Sequence, residues 1–382
     1  MLFFSIVFLL FLSYFLLNIS VSTLVSEFGF DNAKVKFLVF LFLIFQVFSG
    51  ILFRLYLPHV PDNLMFTEIV QTRSLNASHS GNLDLLGFLL YSFPISLLVQ
   101  GNDFLYLVFQ KLLISFSVIY LFIGFSKLFF IEFVRLNSLF IFIFFVILYP
   151  SFFVHYNNIL RESYELFFFS FFIYYLSVNR YFLAFIFALL LVSVRFDSLV
   201  YIPFLLLYVS FKSKFLSCKK SDVLILCVLF IYFSFLLSPY CYDYFIQLRA
   251  GKFAFFTNLG VSESTLFESF EGVGYLEFYK FYSYSLIQYI FDPISIKSFS
   301  GTFFMWAETI FSISLLLLLL VVIFIKKSIN RIVLICLCII FLQSCVEYFI
   351  QGGMRHRLIP YLVILVFISN LLVSKNKLSN SN

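Results

Sequence analysis

Charge is the first thing this chain lacks. Of 382 residues, 12% are Asp, Glu, Lys or Arg against 63% hydrophobic, and mean hydropathy is +1.06. A soluble domain of this length does not carry so little charge, so the chain reads as an all-α polytopic membrane protein. Metal-ligand spacing is missing too. The six cysteines, Cys218, Cys227, Cys241, Cys336, Cys338 and Cys345, form no CxxC or Cys/His pattern and lie mostly in apolar runs, where they read as small buried hydrophobes. His59, His79, His155 and His356 are scattered without zinc spacing, so no metal is expected. No glycine-rich phosphate loop is present, which argues against an ATP-driven pump, and no cofactor is expected. No span carries the charge series of a channel or voltage sensor, and no paired Gly/Pro breaks mark two related halves of a secondary transporter. The start, Met1-Leu2-Phe3-Phe4, has no basic segment and no small-residue cleavage site, so a retained span is expected in place of a signal peptide.

What the chain has is apolar runs, near 2–20, 37–56, 85–99, 104–126, 136–154, 164–178, 181–194, 198–211, 223–240, 302–325, 332–350 and 358–373. In lipid such runs must be helices, because lipid satisfies no free backbone group. The net charge of +6 resides in lysines and arginines clustered in short links, which report topology and not a nucleic-acid partner. Lys34 and Lys36, Lys127 and Arg135, Lys212 to Lys220, Lys326 to Arg331, and the tail with Lys375 and Lys377 agree as cytoplasmic if 85–99, short and holding Pro94, is re-entrant or interfacial. That gives about 11 spans, or 12 if 85–99 crosses, with one large periplasmic loop. Three regions follow: helices and short outer loops over 1–240, the loop over 241–301, and helices with a cytoplasmic tail over 302–382.

The polar residues then gather on the outer side. Gln351 to Pro360 is a short link holding Arg355, His356 and Arg357, which either bind an anion or contact lipid headgroups. Asn157 to Ser163 opens a helix with Glu162 and Glu165 in its first turn, suited to the helix dipole, and with Arg161 beside them, as an anion site or as a capped start with an internal Arg–Glu pair. Arg195 and Asp197 sit at a junction of two runs, as a functional pair or as a salt bridge closing a hairpin. Asp62 and Glu68 follow the second run, as catalytic carboxylates or as a solvated loop. In the long loop, Arg249 and Lys252 are set among aromatics that either stack on sugars or pack the loop on the membrane. With no matching acid close in sequence, Arg249, Arg355 and Arg357 are expected to share one external anionic site. Charges lie at span ends, which argues against a flippase.

This pattern resembles the Wzy-type repeat-unit polymerases of O-antigen and capsule assembly. The resemblance rests on about a dozen Phe/Leu-rich spans, a large outer loop in the second half, Arg249…Gly260 as one Arg-x10-Gly match where some members have two, and Arg355-His356-Arg357-Leu358-Ile359-Pro360. It is also similar to GT-C membrane glycosyltransferases, through Asp62 early in the first outer loop and Asn158…Arg161-Glu162 at a helix start. The first resemblance implies polymerisation of undecaprenyl-diphosphate-linked oligosaccharides at the periplasmic face of a bacterial inner membrane. Arg161, Arg249, Lys252, Arg355 and Arg357 would hold the diphosphate, and Asp62, Glu162 or His356 would take the acceptor proton. Partners would be the lipid-linked glycans, membrane lipid and a chain-length regulator. The second implies transfer of one sugar from a polyprenyl-phosphate donor, with Asp62 as base.

Overall fold

A computed structural model describes residues 2–56, 61–75, 83–129, 134–195, 299–326 and 357–373, with positions 198, 243, 247, 280, 283, 286, 340 and 344 between them. Every regular element among the described residues is helical: α1 (Leu2–Phe28), α2 (Asn32–Tyr56), α3 (Pro61–Thr72), α4 (Leu83–Leu98), α5 (Asp103–Phe129), α6 (Leu136–Leu148), α7 (Pro150–Tyr156), α8 (Glu162–Ser177), α9 (Tyr181–Val194), α10 (Phe299–Lys326) and α11 (Leu358–Val373). Leu2–Phe28, Asn32–Leu52 and Asp103–Leu128 are long and apolar enough to cross a membrane, and shorter apolar helices accompany them. The α4 helix, with Pro94 inside it, has 16 residues, about 24 Å at 1.5 Å per residue and so shorter than the hydrocarbon layer. The chain divides into one unit of Met1–Ile202 with Leu362–Asn382 and a second of Pro203–Tyr361. The inter-span loop expected over 241–301 and the runs 198–211, 223–240 and 332–350 lie essentially outside the described residues.

Local chemistry sets the helix ends of the first unit. Gly29, at φ +66°, ends α1, with its N–H donating to the Val25 carbonyl at 2.9 Å. Asp31 then caps α2 by accepting from the Lys34 N–H at 2.9 Å. Gly101, at φ +70°, closes α4 on the Ser96 carbonyl, and Asn102 caps α5 by accepting from the Leu105 N–H at 3.0 Å. Asn179, at φ +60°, ends α8 and lets the Arg180 N–H reach back to Tyr175. Pro150 has no N–H to continue α6, so the single run read over 136–154 becomes two helices, with Pro150 opening α7.

The organising element is α5, buried along nearly its whole length. α1 packs beside it, Thr23 meeting the Tyr120 hydroxyl at 3.0 Å and Glu27 pairing with Lys127 near both C-termini. α2 runs antiparallel to it, since Arg54 near the end of α2 pairs with Asp103 at the start of α5. α8 comes so close that a Cβ on Gly124 would lie 2.9 Å from the Tyr174 nitrogen, the small-residue packing that brings apolar helices together. By contrast, α1 turns Phe3, Phe4, Leu10, Phe11 and Tyr14 outward, an apolar face suited to lipid. One lysine departs from the expectation that charges sit at span ends: Lys111, well inside α5, is 1% exposed.

α4 and α9 touch backbone to backbone. A Cβ on Gly87 would stand 2.0 Å from the Ser193 carbonyl oxygen, and the Tyr91 hydroxyl meets Ser193 Oγ at 2.6 Å one turn away. The obstacle is main chain, which cannot rotate aside. Gly87→Ala is therefore expected to destabilise the first unit by about 1–3 kcal/mol, the usual scale of overpacking. Thermal unfolding of the detergent-solubilised protein checks this, and an unchanged midpoint would contradict the close approach.

Candidate functional site

The polar residues of the first unit concentrate around the short link between α7 and α8. α3 supplies Asn63, whose Oδ1 accepts from the Ile159 N–H at 2.7 Å. α5 supplies Gln110, whose Nε2 donates to the Leu160 carbonyl at 2.9 Å and to Ser163 Oγ at 2.8 Å. α3 and α5 therefore grip successive residues of one link. The chain needs this because Asn157 to Leu160 is buried and mostly non-helical, and its backbone groups must find partners there.

Just past the link, α8 opens with Glu162 and Glu165, both buried. Carboxylates suit a helix N-terminus, but that alone does not hold two of them out of water. The counter-charge comes from Arg195, immediately after α9. It donates to Glu165 Oε2 at 2.8 Å and lies 3.8 Å from Glu162 Oε1. Ser198 Oγ adds a longer contact of 3.5 Å to Glu165 Oε1. Within this trio one guanidinium faces two carboxylates. Glu165 holds the shorter contact with Arg195 and Glu162 the longer. Arg161 lies at the helix start, half-buried beside them.

Aromatic rings close the neighbourhood. Phe66 of α3 meets Phe88 of α4 edge-on at 4.7 Å, and Phe88 meets Tyr164 of α8 at 5.9 Å. The Tyr164 hydroxyl is 2.8 Å from that of Tyr106 on α5. These contacts fix α3, α4, α5 and α8 around the link with rigid side chains that lose little freedom on ordering.

The structure thus brings Glu162 and Arg161 together with Glu165, Arg195, Asn63 and Gln110. Asp62 is the second residue of α3, directly before Asn63, and its side chain lies outside the described residues. His356, Arg249, Lys252 and Arg355 also lie outside them. Arg357 belongs to the second unit. There it is 3% exposed, 3.5 Å from Glu308 Oε1, with its guanidinium 5.7 Å from the centre of the Tyr361 ring. The acid that the sequence around Arg357 lacks is therefore supplied by α10. Asn63 and Gln110 were missed in the sequence, the first shadowed by Asp62 and the second hidden within an apolar run. No protein-family model, curated protein or solved structure matches the chain.

Proposed function

We propose that this protein is a multi-pass membrane glycosyltransferase that draws a sugar from a polyprenyl phosphate or diphosphate and transfers it to an acceptor hydroxyl at the outer face of a bacterial inner membrane. One observation carries the reading: the buried Glu162–Glu165–Arg195 cluster beside a link that Asn63 holds at 2.7 Å. In such a transfer the bond from the sugar's anomeric carbon to the phosphate oxygen breaks, and the acceptor oxygen takes its place. The acceptor proton passes to a carboxylate, for which Glu162 is the candidate. The phosphate leaves as an anion to be met by nearby cations, of which Arg161 is one. The bond energy is in the donor, so no nucleotide is required.

The contact between Asn63 and Ile159 bears on which transferase this is. It joins the two segments that give the chain its GT-C resemblance, Asp62 with its helix and Asn158 to Glu162. This favours transfer of a single sugar from a polyprenyl-phosphate donor. The polymerase reading rests on Arg249…Gly260 and Arg355 to Pro360, features of the sequence.

Surface polysaccharide from cells lacking the protein, resolved on a gel, separates these readings. A ladder with altered sugar composition is expected. A single-repeat band in place of the ladder would establish the polymerase, and an unchanged pattern in cells making that polysaccharide would remove the transferase reading. In a complemented strain, Glu162→Gln is expected to lower product by about 10²–10⁴-fold at normal protein levels, the usual contribution of a positioned general base.

A further inference from the structure

The carboxylate assigned to proton transfer is shut in. Glu162 is 1% exposed, and Asn157, Asn158, Ile159 and Leu160 before it are 2% exposed or less. A base must come within hydrogen-bond reach of the hydroxyl it serves, so an element beside this link has to move. Most neighbours are locked. α8 meets α5 with no room for a Cβ at Gly124, and α4 meets α9 in the same way at Gly87. α3 is held differently at its two ends. At its C-terminal end Ser96 Oγ donates to the Val70 carbonyl, and Arg73 Nε donates to Ser96 Oγ at 3.4 Å. A Cβ on Gly101, in the turn after α4, would stand 3.1 Å from the Gln71 carbonyl oxygen. At its N-terminal end α3 reaches the link through Asn63, whose Oδ1 accepts from the Ile159 N–H at 2.7 Å.

We propose that α3 is a lid on the α7–α8 link, hinged where Val70 to Arg73 meet α4 and latched by the bond from the Ile159 N–H to Asn63. A neutral hydrogen bond is a modest hold, far weaker than interlocked main chain. Asn63, Phe66, Thr67 and Val70 share the covered face of α3 at helical spacing, from latch to hinge. Swinging the Asn63 end away parts Phe66 from Phe88 and opens the link that leads to Glu162. Asp62, one residue before the latch, travels with it. The closed form keeps water from the carboxylates, and the open form admits donor and acceptor. This rests on the glycosyltransferase reading and deepens it, by naming what controls access to the same site.

The test uses the full chain in lipid nanodiscs, its six cysteines replaced by alanine, with single cysteines labelled by a membrane-impermeant maleimide. Asn63→Leu keeps the size and removes the acceptor at the latch. It is expected to speed labelling of Ile159→Cys and Thr67→Cys by about tenfold or more. Val70→Cys at the hinge and Ser117→Cys inside α5 are expected to label as before. Unchanged labelling of Ile159→Cys overturns the lid. So does faster labelling at Ile159→Cys alone, which means a loosened link beside a fixed α3. Faster labelling at Val70→Cys or Ser117→Cys also overturns it, making Asn63 a prop of the packing and not a latch. Should Asn63→Leu fold poorly, hydrogen exchange of the unmutated chain decides. The Ile159 N–H is expected to exchange about tenfold or more faster than the amides around Ser117, and exchange at their rate overturns the lid. Surface polysaccharide from cells lacking the protein reads transfer separately. Labelling as expected with an unchanged polysaccharide keeps the lid and removes the transferase reading, whereas altered polysaccharide with unchanged labelling does the reverse.

Discussion

Arg195→Met is expected to cost the first unit about 3–5 kcal/mol, because it leaves buried Glu162 and Glu165 without their shared counter-charge. Thermal unfolding in detergent and the amount of protein recovered from membranes read the loss. The double variant Arg195→Met with Glu165→Leu is expected to regain much of it, since the carboxylate holding the 2.8 Å contact goes with its partner. Arg195→Lys is expected to fall between wild type and Arg195→Met. An ammonium supplies the charge but on a shorter, more strongly hydrated head with fewer fixed donors. Wild-type unfolding of Arg195→Met would mean that the trio is not the electrostatic centre of this unit. Activity separates the two acids. Glu165→Gln keeps a hydrogen-bonding group for Arg195, whereas Glu162→Gln removes the group assigned to proton transfer, so the second is expected to be the more damaging to product at equal protein levels.

Much of the helix placement was legible because hydropathy is a direct report of what cannot face water. α1, α2, α5, α8 and α9 follow the apolar runs closely. α3 falls where the hydropathy pattern alone reads as an outer loop, although its helical signals are local. Pro61 stands at its first position, Asp62 in its first turn, and Phe66, Ile69 and Val70 share one buried face at helical spacing. The break after α6 is likewise written in Pro150.

The partner of Arg195 is harder to read, because sequence proximity points to Asp197. The hairpin supplies the missing step. α8 and α9 turn at Asn179–Arg180, so the first turn of one returns beside the last turn of the other and places Glu165 against Arg195. For Arg357 and Glu308 no comparable local signal exists, since their meeting depends on how α10 packs within the second unit. The amide set was illegible for a different reason. An asparagine or glutamine in a sequence does not announce which of its atoms the backbone has already taken.

Lys111→Met is expected to raise stability by about 1–4 kcal/mol, the range seen when buried charge is exchanged for an apolar side chain of similar volume. Lys111 is 1% exposed inside the most buried of the long helices, and no hydrogen bond or ion pair meets its ammonium among the described residues. What its stem does have is a groove. A Cβ on Gly50 of α2 would lie 2.9 Å from Lys111 Cε and 3.2 Å from Cγ, so the lysine runs across a glycine that leaves it room. Methionine keeps that unbranched stem and removes the polar end. Gly50→Ala is expected to destabilise the wild type by displacing the stem, and to be harmless once Lys111 is shortened to alanine. The coupling of that double-mutant cycle measures the contact directly. A chain that retains a lysine at a cost to its stability, where methionine would pack better, points to a use for the amine in function. Lys111→Met is therefore expected to give a more stable protein with less product in the polysaccharide assay. Greater stability with undiminished product would make Lys111 a tolerated defect of the core. A fall in stability would show instead that the amine has a partner holding α2 against α5.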